Sequence, residues 1–198
     1  MGQTDVSTLK LLGGHPALDF ANTVDSRGVR YGPDVLRGYG DLLDWGMRLK
    51  VLDAAEATKL RDLPTKRGEV ALNRAKALRE AIYRIFAAPA SADPADLGLL
   101  QREVRAAHAK RRLVPHHDGY TWRWVADDPD AVTHRVALLS IDLLTSVALG
   151  RVRVCPGENC AWLFLDASRA GRRLWCSEET CGRRDRVRRW RATQRDKA

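Results

Sequence analysis

The sequence predicts an α+β protein: a mainly helical domain with a small antiparallel sheet over residues 1–150, then a small four-cysteine module over residues 151–198. Three observations carry this. Apolar residues recur at helical spacing through most of the first 150 positions. An Asp118-Gly119 step lies between two extended runs, a strong short-range hairpin signal. All four cysteines and most of the net positive charge follow Gly150.

Taken in order, Leu36, Tyr39, Leu43 and Met47 predict a helix over 34–49, and "DAAEATKLRDL" predicts a shorter one ended by Pro64. Ala75, Leu78, Ile82 and Ile85 share one face of an amphipathic helix over 69–88. Asp93-Pro94, a capping residue with proline at the first helical position, opens a helix able to reach Arg112. "RLVPHHDGYTWRWV" predicts the hairpin, with Tyr120, Trp122 and Trp124 alternating onto one face. Asp128-Pro129 repeats the cap-plus-proline start. The run "AVTHRVALLSIDLLTSVALG", apolar on nearly every side, is the expected central buried helix, stopped by Gly150.

With 44% hydrophobic and 30% charged residues and eight prolines, the chain is globular, which excludes disordered and fibrous classes. "MGQTDVSTLKLLGG" has neither a basic start nor an apolar stretch of signal-peptide type, and no segment reads as membrane-spanning, so a cytoplasmic protein is expected. The net charge of +9 is uneven. Residues 151–198 hold 13 Lys/Arg against 6 Asp/Glu, residues 1–150 hold 21 against 19. That asymmetry points to a polyanion partner for the tail and a nearly neutral, independently packed body before it.

Cys155, Cys160, Cys176 and Cys181 form C-x4-C-x15-C-x4-C, two close pairs joined by a loop long enough to bring them together. Four thiolates suit one tetrahedral Zn²⁺ with no position left for water, so the ion is structural. Spacing alone leaves iron as the alternative, and two disulfides do not suit a reducing compartment. Between the pairs, Trp162 to Leu165 reads as a strand, followed by an Arg/Gly turn and a return strand into Trp175. Ser177 can cap a following helix that carries Cys181, which makes the module treble-clef or zinc-ribbon-like. A helix so rich in arginine repels itself and needs an external clamp, which the metal supplies. On it Arg184, Arg188, Arg191 and Arg195 fall within a sector of about 60°, with Val187 and Trp190 on the adjacent face expected to pack inward. Arg172, Arg173 and Arg183 extend the expected DNA-contacting set.

The stretch "CPGENCAWLFLDASRAGRRLWCSEETCGRRDRVRRWR" resembles the CGNR zinc-finger family of bacterial transcription regulators. "GGHPALDFANTVDSRG" and "DLLDW" resemble the domain, named ABATE, that precedes that finger and is described as a stress-induced transcription regulator. Besides the cysteines, Phe164, Asp166, Ser168, Trp175, Gly182 and Arg184 stand where the family pattern places them. Arg183 stands in place of the family's name-giving asparagine, Leu174 interrupts its Arg-Arg-Trp, and Glu178 replaces a methionine. The resemblance implies a DNA-binding regulator with one structural zinc ion.

Two readings stand for "ALDFANTVDSR". One is a small-molecule pocket lined by Asp19, Asn22, Thr23 and Arg27, with an effector as a further partner. The other is a structural turn whose Asn and Asp side chains bond nearby backbone. The five histidines show no metal-ligating spacing, and there is no nucleophile elbow, P-loop or dinucleotide-binding glycine pattern, so no enzyme is expected. The leading expectation is a regulator that binds duplex DNA, as a homodimer if its sites are palindromic. The alternatives are an RNA-binding or protein-docking zinc module, and a small-metabolite enzyme in the first domain.

Overall fold

The computed structural model describes residues 4–195. Seven helices and two small antiparallel sheets follow one another among these residues. They are α1 (Pro16–Ala21), α2 (Tyr39–Arg48), α3 (Ala54–Arg61), α4 (Thr65–Ala87), α5 (Pro94–Ala109), β1 (Arg111–His116), β2 (Gly119–Trp124), α6 (Ala131–Leu144), β3 (Val152–Val154), β4 (Leu163–Leu165) and α7 (Arg183–Arg195). The α+β class and the small cysteine-rich end are as the sequence predicts.

Helix α4 is the scaffold. Its apolar row of Leu72, Ala75, Leu78, Ile82, Ile85 and Phe86 is buried, and α1, α2, α5, α6 and both strands of the second sheet pack against it. It starts at Thr65, a turn before the apolar periodicity begins, because Pro64 supplies a helix start. The first half of α6 is wholly buried, but its second half is partly exposed and it ends at Leu144, short of the expected stop at Gly150, which lies inside a separate 3-10 turn at Val147–Arg151. Asp128-Pro129 does not open this helix. Asp130 takes the cap position, and Asp128 instead accepts from His134 Nδ1 at 2.7 Å, a buried pair.

Helix α1 has no counterpart in the periodicity. Six residues are too few to show a period, and five of them are buried, so no polar face marks it. Helix α2 begins at Tyr39, three residues past Leu36, where Asp41 closes a capping box on the Gly38 backbone.

The β1–β2 pairing aligns Leu113 with Trp122 and Pro115 with Tyr120. Its two-residue turn is His117-Asp118, one position earlier than the Asp-Gly step suggests. Gly119 follows at φ +136, a conformation that disfavours a side chain. The aromatic face does not enter the core: Tyr120 and Trp122 are 72% and 54% exposed. Trp124 lies beneath the guanidinium groups of Arg111 and Arg135.

The body and the cysteine-bearing end share one apolar core, in which Trp162, Leu163 and Phe164 join Leu18, Phe20 and Ile82. The expectation of an independently packed body therefore does not hold. No helix among the described residues is long and apolar enough to cross a membrane.

Candidate metal centre and nucleic-acid interface

Strand β3 runs directly into Cys155, and the chain then turns through Gly157 to Cys160 and returns as β4, so the first cysteine pair sits in the bend of a hairpin. Space at the bend is tight. A Cβ on Gly157 would lie 3.1 Å from the Cys160 Cβ and 3.2 Å from the Cys181 Sγ. The second pair frames the start of α7. Ser177 accepts from the Thr180 amide and caps a wide turn, Glu178–Gly182, that holds Cys181 and continues into α7. Hairpin bend and helix start together make the treble-clef arrangement.

The return strand expected between β4 and Trp175 is absent, since β4 pairs with β3 instead. The reason is Asp166, fully buried just after β4. Its carboxylate accepts from the Ser168 amide and hydroxyl at 3.0 and 2.6 Å and from the Arg173 amide at 3.0 Å, folding residues 166–173 into a loop. The Ser168 hydroxyl and these amides hold the Asp166 carboxyl below its ordinary range.

All four cysteine sulfurs lie within 4.8 Å of one another, with Cys160–Cys176 at 3.4 Å and Cys176–Cys181 at 3.7 Å. These separations are far too long for disulfides. They match the roughly 3.8 Å edge of a tetrahedron with sulfur about 2.3 Å from zinc. The donor chemistry agrees. Hydrogen bonds from Cys160 and Cys176 draw Cys155 down to about 2, while the bond to Cys155 pushes Cys160 up to about 12 and Cys176 higher still. Four thiolates gathered this closely repel one another. A divalent ion removes that conflict, and the site fits one structural zinc.

The stretch "ALDFANTVDSRG" is the seat of this centre. Both ends of the Asn22 amide bond the Leu163 backbone, donating to its carbonyl at 2.8 Å and accepting from its amide at 2.9 Å. Trp162 Nε1 donates to the Val24 carbonyl at 2.8 Å, and the Arg27 amide donates to the Cys160 carbonyl at 2.9 Å. Gly28 meets the Asn159 backbone so closely that a Cβ would stand 2.7 Å from the Asn159 Cα. Of the four residues considered for a small-molecule pocket, Asn22 is thus in the joint itself. Asp19 accepts from the Gly13 amide at 2.7 Å, and burial raises its carboxyl to about 6. Thr23 accepts from Arg79, and Arg27 pairs with Glu80 at 2.7 Å while lying over the Tyr83 ring. None of the four lines the cleft described next.

Helix α7 leaves the metal centre with no apolar residue buried. Val187 and Trp190, expected to pack inward, are 41% and 63% exposed. Between α7 and residues 4–12 lies a cleft of about 1040 Å³, and Arg183, Arg184, Arg188, Arg191 and Arg195 all line it. Arg184, Arg191 and Arg195 form no ion pair among the described residues, whereas Arg188 pairs with Asp185 at 2.5 Å and Arg186 with Glu178. Arg172 is exposed. Arg173 is not part of the outward patch: its guanidinium donates to the carbonyls of Trp175, Leu12 and Cys176 and lies over Phe164, bracing the module internally. The opposite wall, residues 4–12, carries no motif that marks it, because only the folded chain brings it to α7.

Residues 151–194 match the CGNR zinc finger. Residues 14–147 match the family ABATE, described as "Putative stress-induced transcription regulator". A search of curated proteins finds no match. With two thirds of its length in the first match and the four cysteines gathered in the second, the chain belongs to the ABATE family and carries a C-terminal CGNR zinc finger.

Proposed function

We propose that the protein is a transcription regulator that binds duplex DNA through the zinc-anchored helix α7. The observation that carries this reading is the row of Arg184, Arg191 and Arg195, exposed on one side of a helix and paired with no carboxylate among the described residues. Guanidinium groups at fixed spacing suit phosphate oxygens, which they meet through two parallel N–H bonds. With four protein ligands the metal centre is closed, so its part is mechanical: it holds Cys181 and thereby the start of α7. The phosphate contacts fall to Arg172, Arg183, Arg184, Arg191 and Arg195, with Arg188 joining when it leaves Asp185. Such contacts position the protein on DNA, and base reading would need one of them to reach a guanine edge. No catalytic step is proposed.

The test is fluorescence anisotropy of the zinc-loaded protein with duplex DNA from its own upstream region across a salt series. Unrelated duplex and single-stranded RNA are the comparators. The upstream duplex should bind best, with log K falling against log salt at a slope of about −4 for four or five phosphate contacts. Replacing Arg184, Arg191 and Arg195 together by Ala should make that slope shallower by about 3. A preference for single-stranded RNA moves the module to RNA recognition, and no binding to any nucleic acid overturns the reading.

A further inference from the structure

We propose that residues 4–12 and α7 are the two walls of one groove, and that a single phosphodiester backbone of the bound duplex lies between them, gripped by Lys10 on one wall and by Arg184, Arg191 and Arg195 on the other. The inference rests on the DNA-binding reading above and extends it to a part of the chain outside the finger.

The first argument is the direction of the arginine row. Arg184, Arg191 and Arg195 line the cleft rather than the far side of α7, so a phosphate that meets them lies against residues 4–12 as well. The second is shape. The cleft is lined from Arg183 to Arg195, about 18 Å at 1.5 Å per residue. Along one strand of a duplex, phosphates recur every 3.4 Å or so of rise. Like side chains repeated along a channel suit a repeating anion, whereas a small-molecule site gathers a few different polar groups at one point.

The third argument is the rigidity of the opposite wall. Val6 and Leu9 are buried in the core. The Val6 carbonyl accepts from Arg48, the Leu12 carbonyl accepts from Arg173, and the Leu165 amide donates to the Gly13 carbonyl at 2.8 Å. Asp5 caps the turn through the amides of Ser7 and Thr8, each at 2.9 Å. Residues 4–12 are therefore tied both to the body and to the loop beside the metal centre. Lys10 is exposed on this wall, is its one cation, and has no carboxylate partner among the described residues.

The carboxylates in the cleft place the path of the strand. Asp185 is paired with Arg188 and Arg189, and Asp25 accepts from Thr4. Glu158 and Glu179 belong to the cysteine bend and the capped turn, both before α7 begins, so the phosphates run along α7 itself, past Arg184, Arg191 and Arg195.

The experiment compares Lys10→Glu with Lys66→Glu, the same charge change on exposed Lys66 of α4 outside the cleft, in the zinc-loaded full-length protein. Duplex affinity should fall at least tenfold more for Lys10→Glu than for Lys66→Glu, and its salt slope should lose about one unit. In the unsubstituted protein, duplex DNA should protect Lys10 from amine acylation, read by mass spectrometry, and leave Lys66 reactive. If Arg191→Ala weakens binding but Lys10→Glu behaves like Lys66→Glu and Lys10 stays reactive, the groove is refuted while the DNA reading stands. If Arg191→Ala changes nothing either, both fail. Tighter binding of single-stranded DNA than of duplex also overturns the proposal, because the groove would then serve a free strand.

Discussion

Helices α4 and α7 are both rich in basic residues, yet the structure uses them in opposite ways. On α4, Arg74 pairs with Glu103 and Asp130, Lys76 and Arg79 with Asp34, and Arg84 with Asp96, while the apolar face fills the core. On α7 the only buried residue is Asp185, and four arginines, Arg183, Arg184, Arg191 and Arg195, have no carboxylate partner among the described residues. A count of charges therefore does not separate a structural helix from a presented one. What separates them is whether the charges beside the core meet carboxylates from other elements and whether the helix has an apolar face to hold it.

The largest test of this contrast is metal removal. Chelation, or Cys181→Ser, should melt the 13-residue α7 and abolish duplex binding, because nothing apolar retains that helix. Most of the far-UV helical signal, carried by α4 and its neighbours, should remain. If α7 and binding survive chelation, the metal is not its clamp.

The next test sets one arginine of each helix against the other. Arg79→Ala removes a guanidinium that is 3% exposed and shared by Asp34 and Glu80, and should cost about 3–5 kcal/mol in urea unfolding. Arg191→Ala should stay within about 0.5 kcal/mol. Similar costs for the two would dissolve the contrast.

A smaller, pH-dependent effect sharpens the body side, at the turn that leads into the joint with the finger. Burial raises Asp19 from 3.8 to about 6, so the folded state keeps a proton that the unfolded chain releases between these values. The carboxyl therefore imposes no penalty below about pH 4, and it lowers stability as pH rises through 6, by up to about 3 kcal/mol at neutrality. Asp19→Asn keeps an acceptor for the Gly13 amide. Relative to the unsubstituted protein it should gain stability between pH 4 and 7, read from midpoints of urea unfolding at each pH. A constant difference across that range would show that Asp19 does not titrate there.

Much of the fold was legible because it rests on short-range chemistry. The apolar spacing from Ala75 to Ile85 marked α4, Asp93-Pro94 marked the start of α5, and C-x4-C-x15-C-x4-C marked the metal centre. Errors fell where a distant partner decides. Strand β4 finds β3 rather than residues near Trp175 because Asp166 bends the chain away. Arg173 looks like its surface neighbour Arg172, yet it is held by carbonyls of residues as far apart as Leu12 and Cys176. The polar side chains of "LDFANTVDSR" suggested either a ligand pocket or a local turn. Asn22 instead takes the place of a strand partner for Leu163, 141 residues away.

By itself the sequence determined the ligand set of the metal centre, the helices with an apolar face, and the arginine row on α7. Each is set by residue types at fixed spacing along one short segment. Only the tertiary structure decided that body and finger share one core, that "ALDFANTVDSRG" seats the cysteine bend, and that residues 4–12 stand across a cleft from α7. Those outcomes depend on which buried amides and carbonyls find partners across the chain. That requirement is met in three dimensions and leaves no periodic mark in sequence.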